Sequence, residues 1–174
     1  LLEFRTQKEN TSSQLNNLQL QRLKINDLIE QFKIGDKRDE ETSLLLIDSL
    51  TKIENDINYS STNQQLFERL VETKKYISNE IANLFNKTDL SGKDLINAGR
   101  RQEQTNNNWE VSLSFSNDGG EKFAEITKSI AGTDKLLSIV LDGESISEAS
   151  VGSQFINTGI TGGAATISGN FSAE

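Results

Sequence analysis

Residues 109–123 read Trp109-Glu110-Val111-Ser112-Leu113-Ser114-Phe115-Ser116-Asn117-Asp118-Gly119-Gly120-Glu121-Lys122-Phe123. The first seven alternate large apolar and polar side chains, the period of a strand with one buried face. At Asn117-Asp118 the period changes. Short side chains that accept from free amides open a helix, predicted from about Gly120 to Ile130, with Phe123, Ile126 and Ile130 on one face. Further on, Leu136-Leu137-Ser138-Ile139-Val140-Leu141 predicts a second strand. Asp142-Gly143 supplies the left-handed residues of a two-residue hairpin, and Glu144-Ser145-Ile146-Ser147 begins the return. A last strand is expected within Thr161-Gly162-Gly163-Ala164-Ala165-Thr166-Ile167-Ser168-Gly169, beside flexible glycine. Strand, helix, hairpin and strand predict an α+β fold: a small, mostly antiparallel sheet with a packed helix.

Before Lys87 the hydrophobic spacing becomes helical. A first helix is predicted over Thr11–Ile34, opened by a Thr11/Gln14 capping box and striped by Leu15, Leu18, Ile25, Ile29 and Phe32, with Arg22 in the polar slot. Gly35 offers its stop. A second is predicted over Asp39–Asn58 with Leu46, Leu50, Ile53 and Ile57 as its seam. A third comes after Tyr59-Ser60, capped by Ser61 and Gln64 and striped by Leu66, Leu70, Ile77, Ile81 and Leu84. Amphipathic helices need partners, and short connections make neighbours antiparallel. The expectation is a three-helix antiparallel bundle or coiled-coil hairpin. Mutual packing accounts for the stripes, with a groove for a partner helix as the lesser alternative. The organisation this predicts is residues 1–7 and 87–174 as an α+β domain, with residues 8–86 as a helical insertion. Leu1-Leu2-Glu3-Phe4-Arg5 reads like the middle of a strand, and without an initiator Met the chain is expected to be an excised fragment.

Composition removes several function classes. Among 174 residues there is no Cys, His, Met or Pro. Without Cys there is no disulfide, thiolate nucleophile or zinc-thiolate site, and without His no Ser-His-Asp or Cys-His mechanism. The expectation is a protein that is not an enzyme and has no catalytic, cofactor-binding or metal-binding residues. The net charge is −8, and neither half is basic, so nucleic acid and anionic membrane surfaces are not expected partners. No apolar run approaches the roughly 20 residues of a membrane span.

The remaining motifs weigh little. Asn117-Asp118-Gly119-Gly120 could meet an anion, but the loop holds no Lys or Arg and Asp118 opposes one, so an N-cap is the expected role. Thr161–Ala165 and Ser168-Gly169-Asn170 lack the ending of a phosphate-binding loop; bulges, close backbone approach or a hinge are the readings. Asp142 and Glu144 sit too close in a tight turn to flank a glycosidic bond, and no calcium-loop spacing is present. Arg100-Arg101 and the polar run to Asn108 are expected to form a solvated loop. Four Asn-X-Ser/Thr triplets carry no weight in an Asn-rich chain.

An ordered series of segments resembles the SecD family, which belongs to the Sec protein-export machinery. It comprises Leu2-Glu3-Phe4-Arg5, Leu90-Ser91-Gly92-Lys93-Asp94-Leu95, Val111–Phe115, Gly119–Thr127, Ile139–Glu144, Ser145-Ile146-Ser147 and Ile160–Glu174. The order matches the family's first large extracytoplasmic domain. Glu148-Ala149 stand where the family usually has Ala-Pro, and residues 8–87 have no counterpart in its commonest members.

The resemblance implies a membrane protein that partners with SecF and uses the proton gradient to help draw preproteins through the SecYEG channel. It implies that this piece is the mobile head, on the periplasmic (trans) side of the inner membrane, or at the thylakoid if the source is photosynthetic. The head would hold the emerging unfolded preprotein. Holding many unrelated chains requires exposed backbone or apolar patches rather than a catalytic pocket. The sheet edge near Ile160–Ile167 is the candidate surface. Gly159, Ile160, Thr161, Gly162, Gly163, Ile167 and Gly169 are the expected preprotein-contact or hinge residues. The alternative is a scaffold or docking module with the helical insertion as its arm.

Overall fold

A computed structural model describes residues 1–34, 63–102 and 109–171. The order is β1 (Leu2–Gln7), α1 (Ser12–Ile34), α2 (Asn63–Asn83), β2 (Phe85–Ser91), β3 (Leu95–Gln102), β4 (Trp109–Phe115), α3 (Asn117–Ile130), β5 (Leu136–Leu141), β6 (Glu144–Ser150) and β7 (Ala164–Phe171). Short 3-10 turns lie at Gly92–Asp94 and Ser153–Phe155. The chain divides into two compact units, Leu1–Glu9 with Phe85–Glu174, and Asn10–Leu84.

The first unit is α+β, but it has two antiparallel sheets where one was expected. One sheet has the order β2-β1-β5-β6 and the other β3-β4-β7. The split arises from two segments that were not expected to be strands. Phe85–Ser91 holds Lys87 and Asp89 and does not alternate, yet it pairs with β1, Gln7 facing Phe85 and Arg5 facing Lys87. The expected helical segment, drawn to residue 86, therefore ends at Asn83, because β1 draws Phe85–Ser91 into its sheet as a strand. Likewise Arg100 and Arg101, expected in a solvated loop, lie in β3 opposite Val111 and Glu110 of β4. Residues 103–108 of that expected loop lie outside the described residues. At Asp142-Gly143 the expected hairpin forms, with φ of 50° and 91°. Beyond it Glu148 and Ala149 continue β6, facing Ser138 and Leu137.

Three phenylalanines join the layers. Phe4 comes from β1, Phe115 from the end of β4 and Phe123 from α3; all three are buried. The Phe115 and Phe123 rings stack with centroids 4.7 Å apart, and Phe4 meets both edge-on at 5.7 and 6.4 Å. Leu90, Leu113, Ile130, Leu137, Ile139 and Val151 complete the core around them.

The start of α3 is held by a polar clasp. Its cap is Ser116, one residue before the expected Asn117-Asp118; Ser116 Oγ accepts from the Gly119 amide at 3.1 Å. Asp94 of the preceding 3-10 turn accepts from the Ser91 amide at 2.9 Å and from Lys122 Nζ on α3 at 2.7 Å. The Asp94 carbonyl accepts from the Ser116 amide at 2.9 Å. The turn sits so close to α3 that a side chain at Gly119 would come within 2.7 Å of that carbonyl. The Lys122 ammonium, then the Ser91 amide, hold the Asp94 carboxyl below its ordinary 3.8. Glu3 is lowered likewise, chiefly by Lys87 and also by Arg5.

In the second unit, α1 and α2 pack against each other. Leu15, Ile25 and Ile29 of the α1 stripe are buried, as are Leu66, Leu70, Ile77 and Ile81 of α2 and Leu84 just beyond it. Thr73 fills the gap in the second stripe and satisfies its own hydroxyl by donating to the Arg69 carbonyl at 2.7 Å. The predicted second helix, Asp39–Asn58 with Leu46, Leu50, Ile53 and Ile57, lies outside the described residues, as does the Ser61 cap. The described part of the expected bundle is thus a helix pair.

This packing has two measurable consequences. Phe123→Ala should cost about 3–5 kcal/mol of folding free energy in urea unfolding, the usual penalty for emptying a buried aromatic site. Asp94 has a lowered folded pKa, so its contribution is complete at neutral pH and is lost as pH falls from about 4 through the lowered value. Asp94→Asn should flatten the acid side of a stability-versus-pH curve, leaving the Glu3 contribution.

Candidate functional site

The sequence-predicted residues fall on one stretch, the loop from Gly159 into β7. Gly159 is buried against α3 with φ of 68°; a side chain there would lie 1.8 Å from the Ala124 carbonyl oxygen. Only glycine allows both that backbone conformation and that approach. Its amide donates to the Phe155 carbonyl at 2.8 Å. Next to it, the Ile160 amide donates to Thr127 Oγ1 at 2.8 Å. Thr127 is fully buried on α3, and its hydroxyl in turn donates to the Phe123 carbonyl at 2.7 Å. Ile160 packs half-buried against the phenylalanine core.

The far end of the loop is tied as well. The Phe115 amide donates to the Gly163 carbonyl at 2.8 Å, starting the β4–β7 ladder. Gly163 lies so close to α3 that a side chain on Gly120 would come within 3.0 Å of its Cα. Between the two ties Thr161 and Gly162 are exposed, and nothing lies within 4 Å of where a Gly162 side chain would be. The loop is therefore fastened at Gly159–Ile160 and at Gly163, with two residues between. Ile167 is half-buried in β7 opposite Val111, and Gly169 lies further along the same strand.

A groove of about 500 Å³ opens beside this loop. Phe115, Ser116 and Asn117 form one part of its lining; Gly120, Glu121 and Ala124 of α3 form another, and Thr161–Gly163 a third. Its lining is mixed: Phe115 and Ala124 are apolar, Ser116, Asn117 and Thr161 are polar, the glycines offer backbone, and the charge is the Glu121 carboxylate. Such a surface can accept an apolar side chain or an extended backbone. Among the described residues no His, Cys, Asp or Glu cluster is arranged to hold a metal ion, and no helix is long and apolar enough to cross a membrane. Asp142 and Glu144 stand at the β5–β6 turn, outside the groove lining.

Thr127 carries no signal in the sequence. A threonine in the third turn of a helix reads as neutral filler, and its role depends on a loop 33 residues away. Thr127→Val should leave the Ile160 amide unsatisfied and cost about 1–3 kcal/mol, the ordinary penalty for a buried orphan donor. Hydrogen exchange at Ile160 should accelerate in that variant and stay slow in Thr127→Ser.

The family described as SecDF, P1 head subdomain, matches residues 66–174. A protein translocase subunit SecD from Prochlorococcus marinus is 49% identical over 180 residues, covering 100% of this chain and 36% of that protein. The SecD of Synechocystis is 43% identical over 115 residues, covering 66% of this chain and 24% of its own. The chain thus spans about a third or less of these relatives. A solved structure, described as "Structure and function of a membrane component SecDF that enhances protein export", aligns with 96% of this chain and 54% of its own, at 24% identity and a TM-score of 0.48. With the family match covering more than half of its residues, the chain belongs to the SecD family and carries its P1 head subdomain.

Proposed function

We propose that this domain serves a SecD-type translocase subunit in protein export by transiently holding the unfolded preprotein as it emerges. In the whole protein its partners would be SecF and the SecYEG channel, the driving force the proton gradient, and its place the periplasmic side of the inner membrane. One observation supports the holding role above others: an open groove that offers two apolar side chains, Phe115 and Ala124, and glycine backbone runs along an exposed, uncharged pair of loop residues, Thr161 and Gly162. Unfolded chains share a backbone and scattered apolar side chains, and such a surface meets both without selecting one sequence. The fastened ends at Thr127 and Phe115 keep that surface shaped.

A docking role has its own support in the second unit. Leu20 and Leu23 of α1 are 59% and 63% exposed, off the buried stripe and three residues apart, hence on one helix face. A partner groove would read them as anchors.

Photoreactive residues at Thr161 and Ser168 in the whole subunit, during export of a stalled preprotein in cells, distinguish the two. Crosslinks to the preprotein are the expected outcome. Crosslinks confined to other translocase subunits would overturn the holding role and favour docking; Leu20→Ser with Leu23→Ser should then release the partner.

A further inference from the structure

Resting on that holding role, we infer that the recognition element is the outer edge of β7, and that an extended segment of unfolded chain binds there by adding a strand to the β3-β4-β7 sheet. Among the described residues the two sheets end in four edge strands: β2, β6, β3 and β7. Charged residues on an edge oppose pairing with another chain. The sequence of β2 includes Lys87 and Asp89, that of β6 Glu144 and Glu148, and that of β3 Arg100 and Arg101. β7 reads Ala164-Ala165-Thr166-Ile167-Ser168-Gly169-Asn170-Phe171, eight residues without a charge. Of these four edges it alone lacks this protection.

The register shows what the edge offers. The Phe115 amide bonds the Gly163 carbonyl, so Gly163 turns its backbone groups toward β4. Ala165 and Ile167 stand opposite Leu113 and Val111 in the same register and do likewise. The period of two then sends the amides and carbonyls of Ala164 and Thr166 outward, and both residues are exposed. Among the described residues no strand pairs with that side. An added strand would place alternate side chains beside Ala165 and Ile167, which pack against the core, and so would extend an apolar face. Running past Gly163 toward Gly162, it would bring a further side chain to the groove at Phe115 and Ala124. The segment that fits is extended, free of proline at alternate positions and apolar on one face.

Charge selects between occupants. A second copy could also pair on this edge, but each copy carries −8, which sets two copies against each other. Glu121 at the groove favours neutral or basic segments over this acidic chain.

The test is an NMR titration of the 174-residue chain with a lysine-flanked peptide of alternating Val and Thr. Shifts should centre on Ala164–Ile167. Thr166→Pro removes an outward amide without touching the β4 ladder and should weaken binding by at least about tenfold. The same loss should appear with wild-type chain when the peptide is N-methylated at alternate residues in one phase and not the other, a control that leaves the protein unchanged. Equal binding in all these cases, with shifts elsewhere, would overturn strand addition while leaving the holding role standing. Binding of neither this peptide nor a permanently unfolded protein would remove both. A concentration-dependent dimer, abolished by Thr166→Pro in a chain that binds no peptide, would assign the edge to a second copy and overturn the inference.

Discussion

The contact of Phe4, Phe115 and Phe123 is the constraint from which the first unit takes its shape. Each ring comes from a different layer: one from the four-stranded sheet, one from the three-stranded sheet, one from the helix. Aromatic side chains bury about 150–250 Å² each and favour offset or edge-on contacts, so a trio fixes angles as well as distances. Once α3 is set on the ring of Phe123, its first turn has a single place to lie. That place demands a glycine at Gly119, against the Asp94 carbonyl, and leaves little room at Gly120, against Gly163. The Asp94–Lys122 pair and the Thr127–Ile160 bond then secure what packing has positioned. Shape comes from the apolar contacts; the polar ones select among near alternatives by giving buried donors their partners.

This hierarchy explains which parts were legible in the sequence. β4, β5 and α3 face the core directly, so their periodicity is strong: Val111, Leu113 and Phe115 alternate, and Phe123, Ile126 and Ile130 share a helix face. The α1 and α2 stripes were readable for the same reason. β2 and β3 are edge strands, and an edge is stabilised by its neighbour more than by its own pattern. Their charges, which protect an edge from stray pairing, also hide its strand character. The division into two sheets was hidden because it depends on those two strands. In the candidate site, the glycines announced an unusual backbone, but the partner that fastens it, Thr127, had no local signature. A hydroxyl that serves a distant amide cannot be told from one facing water until the chain is folded.

The head combines an exposed loop centre with firmly held loop ends. The loop before β7 is fixed by a buried threonine at one end and by a strand ladder at the other, so its exposed centre is short. A longer loose stretch would lose more entropy on meeting a partner. Fastening both ends limits any such loss to two residues and keeps the groove beside them shaped.

Gln7 and Phe85 face each other across the β1–β2 ladder, although 77 residues separate them in the chain. That closure has a kinetic meaning. For a flexible chain, replacing a two-residue turn by a loop of this length costs about 3 kcal/mol of ring-closure entropy, because the cost rises with the logarithm of length. A helix pair that folds early shortens the effective loop and recovers much of that loss. β1 is an inner strand of its sheet and is made before both of its neighbours, β2 and β5, yet it is completed only when both have arrived. Until then its apolar residues stay uncovered, a vulnerable interval set by chain order alone.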